Sequence, residues 1–126
     1  MTLLAEYVVD LPPSVNNLFG AAKASPAGRG RRGPRRHRTP DYNAWIALAG
    51  VQVNLQRKGA PTFRLAVAIE LSFSETSGAD LDNLAKAPID LLVKQQVLED
   101  DSKRIVRRIV LAWGSHDGCR IRIFRG

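Results

Sequence analysis

Two aspartates separated by one leucine, Asp80 and Asp82, head the stretch GADLDNLAKAPIDLL, Gly78 to Leu92. Lys86 follows four residues after Asp82, and Asp90 four after Lys86. Glu99, Asp100 and Asp101 form a second acidic group downstream. In an extended approach Asp80 and Asp82 point to one side and Leu81 to the other. In a helix Asp82, Lys86 and Asp90 share a face. Carboxylates grouped with a lysine suit a hard cation working on a phosphate. Magnesium takes oxygen ligands in an octahedron, usually a few carboxylates with waters and a substrate phosphate. Such an ion activates water and offsets the charge that builds on a phosphodiester under attack. A lysine beside it could hold the scissile phosphate or stabilise the transition state. The same residues also suit a plainer role, with Asp80 or Asp82 capping a helix and Asp82–Lys86–Asp90 forming a solvated ladder. Spacing alone leaves both open.

The elements that must position these residues follow from periodicity. The run from Leu3 to Leu11 is apolar and β-branched, ends at Pro12-Pro13, and reads as a strand. A turn and a long loop rich in Gly, Pro and Arg follow. Pro40 opens a helix that Thr39 or Asp41 could cap, with Trp45, Leu48, Ala49, Gln52 and Leu55 along one stripe and Gly59 and Pro61 beyond its end. Thr62–Ser74 alternates as a strand, with Phe63, Leu65, Val67, Ile69 and Leu71 on one face. A helix is expected from about Asp82 to Gln96, bent by the internal Pro88. Lys103–Gly114 and Cys119–Arg125 read as strands joined through the turn SHDG as a hairpin. The order is β-loop-α-β-α-β-β, a mixed α/β (α+β) arrangement of a small mixed four-stranded sheet with two packed helices. The unit from Thr62 to Trp113 is a β-α-β crossover, so its strands should run parallel. In such a unit the head of the second helix and the start of the next strand lie at opposite sheet ends. Asp101 must therefore reach back to meet Asp80 and Asp82.

The chain has 126 residues and a net charge of +7, and one domain spanning 1–126 is expected. The charge is concentrated. Lys23, Arg29, Arg31, Arg32, Arg35, Arg36 and Arg38 lie in the loop at about 21–39 without an acidic neighbour. Outside Lys23–Arg38, 12 basic and 12 acidic residues balance. A block of like charge repels itself until a polyanion neutralises it, and nucleic acid does so by releasing counterions. The alternative is a solubilising loop. GRGRRG at Gly28–Gly33 imitates a dinucleotide-binding fingerprint, but Pro34 follows where a helix should open and no strand directly precedes it. No GxxxxGK[ST] sequence is present, so no nucleotide cofactor is expected. His37 and His116 have no spaced Cys or His partner. Cys119, the single cysteine, sits in a strand pattern and reads as packing. No apolar run approaches a membrane span, and the N-terminus lacks the basic region of a secretory signal. A cytoplasmic protein without membrane contact is expected.

The acidic stretch resembles the RusA family of Holliday junction resolvases. DLDNLAKAPIDLL followed by VLEDDSKRIV is similar to the family pattern D-x-D-N-x-x-K-x-x-x-D-x-L, then an apolar residue and D-D. LPPSVNN resembles the family's Pro-Pro-Ser-Asn-Asn opening after the first strand. The resemblance implies a Mg2+-dependent endodeoxyribonuclease, with Mn2+ as a substitute, acting as a homodimer on four-way DNA junctions in recombination and repair by paired symmetric nicks. It implies Asp80, Asp82 and Asp101 as metal-binding carboxylates, Asp100 as a further acidic candidate, and Lys86 as the catalytic lysine. Asp90 matches an acidic position of the pattern. Asn16 and Asn17 would line the DNA surface, joined by the loop cations and by Arg104 and Arg107. The basic third and fourth strands, with Arg108, Arg120 and Arg122, would also grip phosphates. Two alternatives remain at this level: a non-catalytic basic nucleic-acid-binding protein, and a metal nuclease with another branched DNA or RNA as target.

Overall fold

The computed structural model describes residues 2–14 and 40–126, and the backbone of 19–20 and 37–38. Strand β1 spans Leu3–Val9. A two-residue antiparallel ladder follows, β2 at Phe19–Gly20 with β3 at His37–Arg38. It falls in and beside the expected loop and holds the two ends of the intervening segment side by side. Helix α1 spans Pro40–Arg57, strand β4 Val67–Ser74, a 3-10 turn Leu81–Leu84, helix α2 Lys86–Lys94, β5 Val106–Gly114 and β6 Cys119–Arg125. The four-stranded sheet has the order β1-β6-β4-β5. β4 and β5 are parallel, as expected, and β6 is antiparallel to both β4 and β1.

The expected β5–β6 hairpin does not form. β6 lies between β1 and β4, which leaves β5 on the edge. The reason lies in β4, whose residues are all buried or half-buried, so both its ladder edges draw partners. The Ser115–Gly118 connection must cross the end of β4, a gap of about 10 Å between alternate strands. Four residues reach about 13 Å, so a linker of hairpin length also serves as this crossing. Ser74 N donates to Gly118 O at 2.9 Å, and Ser72 Oγ meets His116 Nε2 at 2.7 Å. Gly114 permits the approach, since a Cβ there would lie 2.5 Å from both His116 Nε2 and Ser72 Oγ.

The helices cover one sheet face. Tyr7, Val9, Ile69, Leu71, Phe73, Ile121 and Ile123 point into the core beneath them. In α1 the buried side is Tyr42, Trp45, Ile46, Ala49, Gly50 and Val53. Leu48 and Leu55, expected on the inward stripe, are instead 47% and 72% exposed. Pro40 opens this helix as expected, and it closes at Lys58 and Gly59, with φ of 53° and 78°. Gln52 and Gln56 bind the backbone of Asp10 and Val8, fixing α1 along β1. At the far end, Arg57 donates to the carbonyls of Gln95 at 2.8 Å and Gln96 at 2.9 Å. One cation thereby ties α1 to the carbonyl end of α2.

The helix expected from Asp82 is interrupted. A 3-10 turn comes first and α2 restarts at Lys86. Pro88 therefore falls in the first turn, where its missing N–H has no intrahelical acceptor to lose, and it introduces no interior break. The sheet strands are also shorter than expected at their starts. β4 begins at Val67, and Phe63 contributes only an isolated parallel bridge to Leu98. β5 begins at Val106, after the turn that ends at Ile105.

Candidate active site

The acidic turn is built by its hydroxyls and leucines. After β4, Ser74 Oγ pairs with Thr76 Oγ1 at 2.8 Å, and Ser77 Oγ accepts from Ala79 N at 3.1 Å. Leu81 is half-buried against the core and Leu84 is buried, which pins the 3-10 turn. Asp80 is extended at φ −78° and ψ 151°, and its side chain makes no capping hydrogen bond. Only its carbonyl is engaged, accepting from Asn83 N at 3.0 Å. Asp80 and Asp82 are both exposed. Among the described residues no hydrogen bond or ion pair engages either carboxylate. The helix-capping explanation for Asp80 is therefore not realised.

Lys86 opens α2, with its ammonium 3.5 Å from Asp90 Oδ1. Half of the expected ladder thus exists. Asp82 lies in the 3-10 turn, where α-helical i,i+4 spacing does not hold, and no ion pair joins it to Lys86.

Asp101 lies in the other acidic turn, exposed and likewise without a partner among the described residues. Its neighbours are committed to structure. Asp100 Oδ1 accepts from Ser102 N at 2.9 Å. The bonds from Ser102, with Arg104 nearby, hold the Asp100 carboxyl below the usual carboxylate range. Arg104 binds Glu99 at 2.9 Å and approaches Asp100 at 3.6 Å, and Arg64 reaches Glu99 at 3.8 Å. This turn precedes β5, beside the start of β4, because Val67 pairs with Val106. The Asp80 turn follows the opposite end of β4, though the 3-10 turn does pack against β5. Among the described residues, no three His, Cys, Asp or Glu side chains are gathered closely enough to hold a metal ion.

The donor chemistry nonetheless fits a hard cation. The carboxylates of Asp80 and Asp82 offer oxygen alone and make no hydrogen bond or ion pair with the described residues. Magnesium is usually held by one or two carboxylates, with waters and substrate phosphates filling its shell.

The basic residues divide into three groups. Asn16, Asn17, Lys23, Arg29, Arg31, Arg32, Arg35 and Arg36 lie outside the described residues, and of Arg38 only the backbone is described. Arg104 is held by Glu99, while Arg107 is exposed and donates to Lys103 O at 3.0 Å. Arg120 and Arg122 lie on the sheet face away from the helices, where Glu6 contacts them at 3.8 and 3.0 Å and Glu70 approaches Arg122 at 3.8 Å. A shallow hollow of about 280 Å³ on that face is lined by Glu70, Ser72, Val110, Arg120 and Arg122. Sequence reasoning missed the Ser72–His116 contact and the Glu6 pairing. Their partners are 44 and 116 residues apart, and no local pattern announces them.

One placement relates the end of β1 to the acidic turn. Val9 pairs with Cys119, and Cys119 with Phe73, so β1 and β4 end at the same edge of the sheet. Asp10–Ser14 follow β1 and the Asp80 turn follows β4, so both leave the sheet from that one end.

No curated protein matches the chain. A family model described as endodeoxyribonuclease RusA matches residues 20–124, which takes in the Asp80 turn, Lys86, Asp101 and all of the four-stranded sheet except β1 and the last residue of β6. The Pro-Pro-Ser-Val-Asn-Asn opening lies before the matched region. With most of its length matched, including both acidic turns, the chain belongs to the RusA family of Holliday junction resolvases.

Proposed function

We propose that this protein is a magnesium-dependent endodeoxyribonuclease that resolves four-way DNA junctions, as a homodimer, by paired symmetric nicks. Asp80 and Asp82 are its metal-binding carboxylates, Asp101 the third, and Lys86 the lysine beside the reacting phosphate. The observation that carries this reading is the unpaired Asp80–Asp82 pair within the region matched to the RusA family. Neither side chain serves the fold through a hydrogen bond or ion pair with the described residues, and an exposed carboxylate pair in a chain of net charge +7 is well suited to a cation. A bound magnesium would supply an activated water and charge neutralisation at the scissile phosphate.

The protein's own groups do the positioning. Leu81 and Leu84 hold the turn so that both carboxylates face solvent. Asp90 keeps the Lys86 ammonium on the helix's open face, from which it can exchange a weak surface pair for a phosphate oxygen. The loop arginines, which follow β1 in the sequence, would hold DNA across the acidic turn. The reading requires Asp101 to come to the pair in the DNA-bound protein. A role in recombination and repair follows from the substrate.

Cleavage of a labelled four-way junction, with and without Mg2+, tests the reading. Asp82→Asn should lower the cleavage rate by at least about 100-fold, the scale for losing a group that acts on transition-state charge. Junction affinity should be kept or raised, because a negative charge leaves the DNA surface. Wild-type cleavage by Asp82→Asn would refute the assignment. Salt-sensitive binding by wild type with no Mg2+-dependent nicking would mark a non-catalytic DNA-binding protein instead. A preference for flaps or RNA in competition would replace the substrate.

A further inference from the structure

Helix α1 exposes a stripe that the fold does not use. Ala44, Leu48, Val51 and Leu55 follow one another at spacings of four, three and four, and all are exposed. Leu48, Val51 and Leu55 are 47%, 57% and 72% exposed. This is the spacing of a coiled-coil seam, on the side of the helix opposite the buried Ala49 and Val53. Asp41 continues the rhythm three residues before Ala44, and Lys58 three residues after Leu55. Both are exposed, and among the described residues neither has an ion-pair partner. Within the helix itself the only charged residues are Asp41 and Arg57, and Arg57 is bound to the end of α2.

We infer that this stripe is a twofold contact with α1 of a second copy of the chain, the helices antiparallel and the axis passing level with Ala49 and Gly50. That register is self-complementary along the whole seam. Leu48 meets Val51 of the second copy. Ala44 meets Leu55, a small residue against a large one. Asp41 meets Lys58, so opposite charges close both ends. A shift by one turn loses the terminal ion pairs and sets Leu48 against Leu55 in one direction or against Leu48 of the second copy in the other. DNA and anionic lipid are poor occupants, because no lysine or arginine flanks the stripe between Asp41 and Gln56. The inference names the surface of the homodimer proposed above and rests on that reading. A helix of 18 residues is about 27 Å long. Contact over one such helix falls near the low end of specific interfaces, so association should depend on concentration.

Sedimentation velocity over a dilution series tests this surface. Wild type should move from monomer toward dimer as concentration rises. Leu48→Glu places two carboxylates in the seam and should weaken the dimer about 100-fold or more. Asp41→Lys sets lysine against lysine at both ends and should weaken it about tenfold. Adding Lys58→Asp should restore the affinity, which a merely structural role would not do. The two charged positions are exposed, so the swap pair remains informative if Leu48→Glu fails to fold. A wild type that stays monomeric at every concentration would overturn this surface together with the homodimer. A dimer unchanged by Leu48→Glu, or a charge swap without rescue, would overturn this surface alone and leave the homodimer standing elsewhere.

Discussion

Asp80 was readable in the sequence as one of two things, a helix cap or a ligand. The capping role needs a bond from its side chain to a backbone N–H, and that bond is not made. Sequence spacing could not decide this, because it assumed an α-helix starting at Asp82, and the helix starts at Lys86. The Asp82–Lys86 half of the ladder failed for the same reason, while Lys86–Asp90, which lies wholly within α2, survived. Cys119 was legible as packing, since it sits in an apolar alternation, and it is fully buried. Burial pushes its thiol up to about 12 from an ordinary value of 9.0. The sign of the consequence is fixed. Below the ordinary value both folded and unfolded thiols are neutral and no stability is lost. Above it the unfolded thiol ionises and the buried one does not, so stability falls as pH rises from about 9 toward 12. Denaturant titrations of wild type and Cys119→Ala across this range should show the steeper alkaline loss in wild type, beyond what tyrosine and lysine titration adds to both.

Elements were more legible than their edges. The start of α1 at Pro40, the parallel β4–β5 crossover and β6 over Cys119–Arg125 were all visible as punctuation or alternation. The inward stripe of α1 was misjudged because Leu48 and Leu55 are as apolar as the residues that are buried. Hydropathy alone does not say which of two apolar faces meets the sheet. The Arg57 contact was invisible for another reason, since it depends on two helix ends meeting in space. It should carry stability. Arg57→Ala leaves two carbonyls at the end of α2 without their donor and should cost about 2 kcal/mol. For a chain of this length that lowers the melting temperature by about 7 °C. Pro88→Ala, at a first-turn position, should change it by far less. Thermal denaturation followed by circular dichroism compares the two directly.

At the scale of the whole molecule, charge and topology tell separate stories. The charge story was open in the sequence, because a net +7 located in one segment needs no fold to be seen. It gives a measurable expectation. Replacing Arg31, Arg32, Arg35 and Arg36 by serine should flatten the plot of log affinity against log salt by up to about 3.6, the value for four lost phosphate contacts on duplex DNA. Anisotropy titrations on a junction at several salt concentrations read the slope. An unchanged slope would take the loop out of DNA binding. The topology story was closed, because a four-residue linker fits both a hairpin and a crossing. The crossing bears on how the protein is synthesised. Among the described strands β6 is made last yet stands inside the sheet, and among them it alone supplies the ladder partner of β1. Arg122 reaches back 116 residues to Glu6. A chain growing on a ribosome therefore holds its first strand unmatched until Cys119–Arg125 has left the exit tunnel. Until then β4, apolar on its inward face, keeps one ladder edge bare. The vulnerable moment in this protein's life comes just before the sheet can close.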